Sequence, residues 1–400
     1  MQESNLKSVS INEKKSVLII SKLFPFPPYQ NGETSTLYNL IKCDEIKKYK
    51  VDLLYLEENQ NKNEFIFKSE IETVYRKTAI GNDYWASISG KKRIKPTGLW
   101  NITTKGMGEF DASKYDIVIF GSWIETCLLD KIVNLNAYKI IFAADSPVLY
   151  YCTKNRNEKR TLHRLYNEVQ KRLWLSFEKT ISSCVDKIVF VSEKDAHVTS
   201  EHLDENIIHV ARIGVKQFKN EYMVNEKQRI EIGFSGIMTY EPNRHAVEYI
   251  INKLIPELDN RKLDYRIHII GKDPDPMWIS YANENGNIVI TGFVDDIDSY
   301  ISKMDIYISP LFTGSGMKNK ILQALSIGVP IIATQVSADG IDGMKDNCNF
   351  SLCDENPTNW AALIESLYNN PEKRKRYSEN GKRLVKEDYS WDRFARDLLQ

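Results

Sequence analysis

The chain has 400 residues, of which 42% are hydrophobic, 27% charged and 11% aromatic. That composition excludes wholesale disorder and, at this length, a small module stapled by disulfides. Lys and Arg total 54, as do Asp and Glu, so no net positive field holds nucleic acid and any anion site has to be local.

The residues from Met1 to Lys15 are polar, and no apolar run reaches the length of a membrane span. The expectation is a cytoplasmic chain. Cys43, Cys127, Cys152, Cys184, Cys348 and Cys353 form no C-x-x-C pair, and the six His residues form no H-E-x-x-H. No disulfide framework and no bound metal is expected.

In chain order, short β-branched runs at 17–21, 50–55, 117–120, 139–143 and 187–191 read as buried strands with helices between them. A loop bearing Tyr84, Trp85, Lys91 to Lys95 and Trp100 is expected in the first half, and 154–174 reads as a basic amphipathic helix. The polar stretch 216–228 has no apolar run and reads as a linker. Strands are then predicted at 230–235, 265–270, 287–291, 305–309, 330–334 and 350–353, with helices at 242–256, 295–303 and 317–327. This alternation predicts an α/β chain of two tandem doubly wound, Rossmann-like domains facing each other across a cleft. The domains expected are 1–215, the linker 216–228, and 229–385, with 386–400 a helix returning to the first domain.

The segment 309–334, SPLFTGSGMKNKILQALSIGVPIIAT, carries the most chemistry. A strand runs into a glycine turn, a helix is expected to open near Gly316, and Gly328 and Pro330 end it. Unpaired N–H groups at such a turn favour a phosphate, Gly314 and Gly316 permit close approach, and Lys318 and Lys320 add full charge. An ordinary strand-to-helix turn with surface lysines reads equally well from spacing alone, which matches neither the P-loop nor the dinucleotide fingerprint.

Residues 232–341 resemble the donor-binding domain of GT-B glycosyltransferases of family 4. The resemblance rests on Tyr240-Glu-Pro-Asn243, Thr291-Gly-Phe-Val-Asp-Asp296, Gly314 to Thr334 and Ala338-Asp-Gly-Ile341. It implies a metal-independent, retaining transferase with no cofactor other than its nucleotide-sugar donor. Gly314, Ser315, Gly316, Met317, Lys318 and Lys320 become candidates for the donor diphosphate, Phe293 and Val294 for the base, and Gly236 for the turn after the first strand. Phe293 reads more readily as a core residue than as a contact to the base.

The family's E-x7-E pair falls on Ser315 and Gln323, so neither carboxylate is present. Gln323 can bond ribose through its amide, which makes Gln323→Glu neutral or favourable for donor binding. The Arg and Lys that members place after the first strand fall at Ile237 and near Pro242. In the first domain, Asn31 and Gly32 stand where the family has a glycine-rich loop. Asp145, closing the strand predicted at 139–143, is the candidate polar group beside the reacting sugar, or else an Asx turn or helix cap.

The leading expectation is a glycosyltransferase acting on a saccharide hydroxyl, with a lipid-linked or cell-surface glycan as acceptor. Peripheral contact with anionic membrane through the basic segments would place it at the inner face of the plasma membrane. Two other readings stand beside it: a non-catalytic GT-B subunit that binds glycan or a partner enzyme, and a nucleotide-sugar epimerase.

Overall fold

The computed structural model describes residues 14–26, 32–57, 64–78, 83–88, 90–99, 103, 108–218, 229–313 and 317–400. Asn31, Gly314, Ser315 and Gly316, together with Trp100 and most of the expected linker, lie outside the described residues. The chain divides into two compact units, Met1–Ile213 with Trp391–Gln400, and Gly214–Ser390.

The first unit opens with β1 (Ser16–Ser21), α1 (Gly32–Lys42), β2 (Lys50–Tyr55) and β3 (Thr73–Arg76). A hairpin of β4 (Trp85–Ile88) and β5 (Lys91–Ile94) follows, then β6 (Phe110–Asp111), β7 (Ile117–Phe120) and β8 (Ile132–Val133). It continues through β9 (Tyr138–Ala144), α2 (Pro147–Asn157), α3 (Thr161–Ser182), β10 (Lys187–Phe190), α4 (Glu193–Ser200) and β11 (Ile208–Val210). Seven strands form one parallel sheet in the order β11-β10-β9-β7-β1-β2-β3.

Because successive residues of a strand point to opposite faces, Leu18, Ile20, Val118 and Phe120 bury into one apolar layer and Val17, Ile19, Ile117 and Ile119 into the other. Burial on both faces is why these strands read as continuous apolar runs rather than alternating ones.

The second unit holds β12 (Ile230–Ser235), α5 (Glu241–Tyr249), α6 (Ile255–Asn260), β13 (Tyr265–Ile270), α7 (Pro276–Glu284), β14 (Ile288–Gly292) and α8 (Ile297–Ile301). Then come β15 (Ile306–Ser309), α9 (Asn319–Ile327), β16 (Ile331–Ala333), α10 (Gln335–Ala338), β17 (Ser351–Leu352), α11 (Pro357–Tyr368) and α12 (Pro371–Asp388). The sheet order is β14-β13-β12-β15-β16-β17, the doubly wound order whose direction reverses between β12 and β15. The last helix, α13 (Trp391–Leu399), packs in the first unit: Phe394 meets Phe142 edge to face at 5.4 Å, and Lys187 Nζ donates to the carbonyl of Asp397 at 2.8 Å.

Four local expectations are corrected. The segment expected as a loop around Trp85 and Ile94 is the β4–β5 hairpin, short enough that its alternation is hidden among charges. The helix expected over 154–174 is two helices, α2 and α3, interrupted at 158–160. The helix expected from 242 to 256 holds a π-helical turn, Ile250–Leu254, just before Pro256, whose missing N–H cannot continue the α-helical ladder. And α9 begins at Asn319, three residues beyond the start expected near Gly316.

Candidate functional site

In an open parallel sheet ligands gather beyond the carboxyl ends of the strands, at the point where the strand order reverses. In the second unit that point lies between Ser235, the end of β12, and Ser309, the end of β15. Lys320, on the first turn of α9, reaches it. Its Nζ donates to the backbone carbonyl of Ser235 at 3.0 Å and to Asn243 Oδ1 at 2.6 Å, and sits 4.3 Å from the centroid of the Phe234 ring. Asn243 is held in turn by donating from Nδ2 to the carbonyl of Ile237 at 2.9 Å. Burial, followed by the nearby charge of Lys318, pulls the Lys320 ammonium down to about 7.

Two glycines make this arrangement fit. A Cβ on Gly236 would lie 2.5 Å from Asn243 Nδ2, and one on Gly271, at φ +146°, would lie 1.8 Å from the carbonyl oxygen of Gly236. Gly271 also donates its N–H to the carbonyl of Gly292 at 3.0 Å, which draws the turns after β12, β13 and β14 together. Gly236→Ala is therefore expected to displace the Asn243 amide from Lys320 and to cost about 1–2 kcal/mol, in the range of overpacking. A urea midpoint equal to that of the unsubstituted protein would show that Asn243 is not fixed there.

The Thr291-Gly-Phe-Val turn closes β14, with Gly292 at φ +65°. Phe293 is 73% exposed, which overturns its reading as a core residue. Val294 instead packs against the apolar layer containing Ile301 and Tyr307. Ile237 and Tyr240, in the turn after β12, are exposed as well, so this edge presents apolar surface beside the buried lysine.

Lys318 is buried at the position preceding α9, and Met317 is half-buried against the same layer as Val294. Gln323 points elsewhere. Its Nε2 donates to Asp298 Oδ1 at 2.7 Å, and Lys216 Nζ meets Asp298 Oδ2 at 2.7 Å. The amide read as free for ribose thus has a carboxylate partner already. Nothing in the sequence pattern singled out Asp298, since its position on α8 carries no motif. Asn243 stood inside the Y-x-P-N turn, and its role as the partner of Lys320 needed the fold.

In the first unit, Gly32 is the exposed first residue of α1, and a Cβ there would meet nothing within 4 Å. Asp145 follows Ala144, whose φ of +58° is uncommon for a residue with a Cβ and marks strain at the end of β9. The cap of α2 is Ser146, which accepts from the N–H of Leu149, so the helix-cap role falls to Ser146 rather than Asp145. The Asp145 carboxyl is raised above the usual carboxylate range, chiefly by partial desolvation and then by Asp195. Among the described residues no group of three or more His, Cys, Asp or Glu is gathered that could hold a metal ion.

Residues 229–370 match the family described as "Glycosyl transferases group 1". The chain is 26% identical over 263 residues to an uncharacterized glycosyltransferase of Methanocaldococcus jannaschii, covering 58% of this chain and 63% of that protein. It is 24% identical to the capsular polysaccharide biosynthesis glycosyltransferase CapM of Staphylococcus aureus, over 53% of this chain and 60% of CapM. The chain thus spans less than two thirds of the length of each of these two relatives. Among solved structures it is similar to HepE of Anabaena in complex with UDP, with a TM-score of 0.61 at 11% identity, covering 95% of this chain and 97% of that one. The chain has the GT-B fold, and the region matched by the glycosyl transferases group 1 family lies within its second unit.

Proposed function

We propose that this protein is a glycosyltransferase that moves a sugar from a nucleoside-diphosphate donor to a saccharide hydroxyl, with retention at the anomeric carbon. The observation that carries this reading is Lys320, an inward-directed lysine at the reversal point of the second unit's sheet, hydrogen-bonded to Ser235 and Asn243. As the glycosidic bond breaks, negative charge grows on the departing diphosphate, and a preorganised cation lowers the barrier most where water is excluded. Lys318 adds a second positive charge beside it. The exposed Phe293 ring after β14, and the exposed Ile237 and Tyr240 after β12, offer apolar surface for a base.

HepE is solved with UDP, which makes UDP the first probe. Calorimetric titration with UDP, GDP and ADP should give saturable binding of at least one, and the matching nucleotide sugar should be hydrolysed or transferred. Absence of binding to all three would overturn the reading. Binding with no turnover of any matching sugar would instead favour a non-catalytic subunit.

The acceptor proposed is a glycan on a lipid carrier, reached from an anionic membrane surface. CapM, a relative, is named for capsular polysaccharide biosynthesis. The support within this chain is α3, where Leu162, Leu165, Tyr166 and Val169 are 80%, 62%, 43% and 47% exposed. Their i, i+3, i+4, i+7 spacing is that of one helix face, and Lys159, Arg160, Arg164 and Arg172 lie exposed around it. An apolar stripe with a basic rim suits the interface of a negatively charged leaflet. Among the described residues no helix is long and apolar enough to cross a membrane.

Sedimentation with vesicles containing phosphatidylglycerol should exceed that with neutral vesicles and fall as salt passes about 0.15 M, where the Debye length is near 8 Å. Leu162→Asp with Leu165→Asp should abolish it. Equal sedimentation of the double variant would remove α3 from the contact.

A further inference from the structure

Helix α8 of the second unit has five residues, Ile297–Ile301, too few for a helix to hold its shape by backbone hydrogen bonds alone. Its place is set by its side chains. Asp296 caps it by accepting from the N–H of Ser299 at 3.1 Å, and Ile301 is buried in the apolar layer that also takes Val294. Asp298 accepts from Gln323, which lies on α9 three residues beyond Lys320. On the sheet side the Tyr300 hydroxyl stands 2.9 Å from His268 Nδ1, and His268 Nε2 stands 2.6 Å from Glu231 Oε2.

These three residues come from three elements: Glu231 from β12, His268 from β13 and Tyr300 from α8. The register pairs Glu231 with Arg266 and Gly233 with His268, so Glu231 and His268 share one face of the sheet. His268 is buried, and the Tyr300 ring meets it edge to face at 5.6 Å and 67°. A carboxylate only accepts, so the proton between His268 and Glu231 is on Nε2, and Nδ1 of the neutral ring is left to accept from the Tyr300 hydroxyl. Apolar side chains could fill this space as well. What the polar chain adds is direction, because hydrogen bonds hold Tyr300 at one angle against the sheet.

The helix so fixed follows directly on the turn that carries Phe293. At its β14 end that turn is held by the N–H of Gly271, which donates to the carbonyl of Gly292 at 3.0 Å. At its other end it is held by α8. We propose that Tyr300, with His268 and Glu231 behind it, is a positioning residue for the nucleoside half of the donor: it fixes α8, and through α8 the turn that presents Phe293 to the base. This deepens the glycosyltransferase reading above and rests on it. Side chains that touch a ligand are placed only as well as the hydrogen bonds behind them allow.

The test uses the full chain and whichever of UDP, GDP and ADP it binds most tightly, followed by calorimetry. Tyr300→Phe keeps the ring and loses only the hydroxyl. It should weaken binding of that nucleotide by roughly three- to tenfold, the size of effect carried through a packed network. KM for the matching sugar nucleotide should rise by the same factor with kcat for its hydrolysis unchanged, since the diphosphate contacts of Lys320 are left in place. His268→Leu removes the acceptor of Tyr300 and should weaken binding to the same extent. His268→Gln restores both bonds, its amide carbonyl accepting from Tyr300 and its N–H donating to Glu231, and should return affinity to within about twofold of the unsubstituted chain.

A lower melting temperature with Kd and KM unchanged is the mark of a merely structural role and overturns this proposal, as does a His268→Gln variant that binds as weakly as His268→Leu. Either result leaves the glycosyltransferase reading in place. An unsubstituted chain that binds none of the three nucleotides overturns both. If Tyr300→Phe fails to fold, the two His268 variants decide by the same comparison of Kd.

Discussion

Replacing Lys320 with methionine is expected to weaken binding of the nucleoside diphosphate by roughly 1.5–3 kcal/mol, the range for a hydrogen bond to a charged group. That is about 10- to 150-fold in Kd. Methionine fills much of the space of the lysine stem, but it leaves the Ser235 carbonyl and Asn243 Oδ1 without the donor they now share.

The stability change should depend on pH, and its sign follows from the lowered ammonium. Between about 7, the folded value, and the ordinary lysine value of 10.5, the unfolded chain holds a proton that the folded chain has released. Stability of the unsubstituted protein therefore rises with pH across that window, by at most about 1.4 kcal/mol per pH unit for one fully buried group. Lys320→Met lacks this gain, so its deficit should be small at pH 6 and grow toward pH 9. Binding of a diphosphate restores the charge on Lys320, so UDP binding at pH 8 should take up close to one proton, measurable in buffers of different ionisation enthalpy. No proton uptake, or a stability deficit independent of pH, would place Lys320 outside the phosphate site.

Much of the architecture was legible because parallel strands buried on both faces are continuous apolar runs. The runs at 50–55, 117–120, 230–235 and 265–270 coincide with β2, β7, β12 and β13. The elements that escaped are those whose burial is partial. In β3, Thr73 and Arg76 are exposed at the edge of the sheet, and β4 and β5 carry Trp85 and Ile94 toward solvent. Such strands have no uninterrupted apolar run to find.

The site divided in the same way. Lys320 is marked by the glycine turn before it and Phe293 by the family resemblance, but neither reveals the residue's environment. By itself Phe293 reads more readily as a core residue, and the Gly292 turn places it in solvent instead. Lys320 reads from the sequence as a phosphate ligand or a surface lysine alike, and only the fold brings Ser235 and Asn243 to it.

Gln323→Glu reverses sign once the structure is considered. From the sequence, a carboxylate at 323 restores an acidic group and would keep or strengthen donor binding. In the fold, the Gln323 amide donates to Asp298 at 2.7 Å, so glutamate would set two carboxylates against each other. At about 4 Å and an effective dielectric constant near 20, that repulsion is on the order of 4 kcal/mol. Lys216, bonded to the other oxygen of Asp298, offsets part of it, although its side chain is largely exposed and its charge screened.

A net loss of about 1–3 kcal/mol is expected at pH 7. The pair would hold a proton in the folded state that the unfolded chain has lost above its ordinary value near 4.3. The variant's stability relative to the unsubstituted protein should therefore fall as pH rises from about 4 toward 7, and the two should converge at pH 4. Donor affinity at pH 7 should fall by roughly three- to tenfold, since the added charge on α9 makes the surroundings of the diphosphate more negative. Denaturant titrations at pH 4, 5.5 and 7 read the first effect and UDP calorimetry the second. A variant equally stable at every pH that binds UDP more tightly would return Gln323 to the role of ribose reader and leave Asp298 as its spacer.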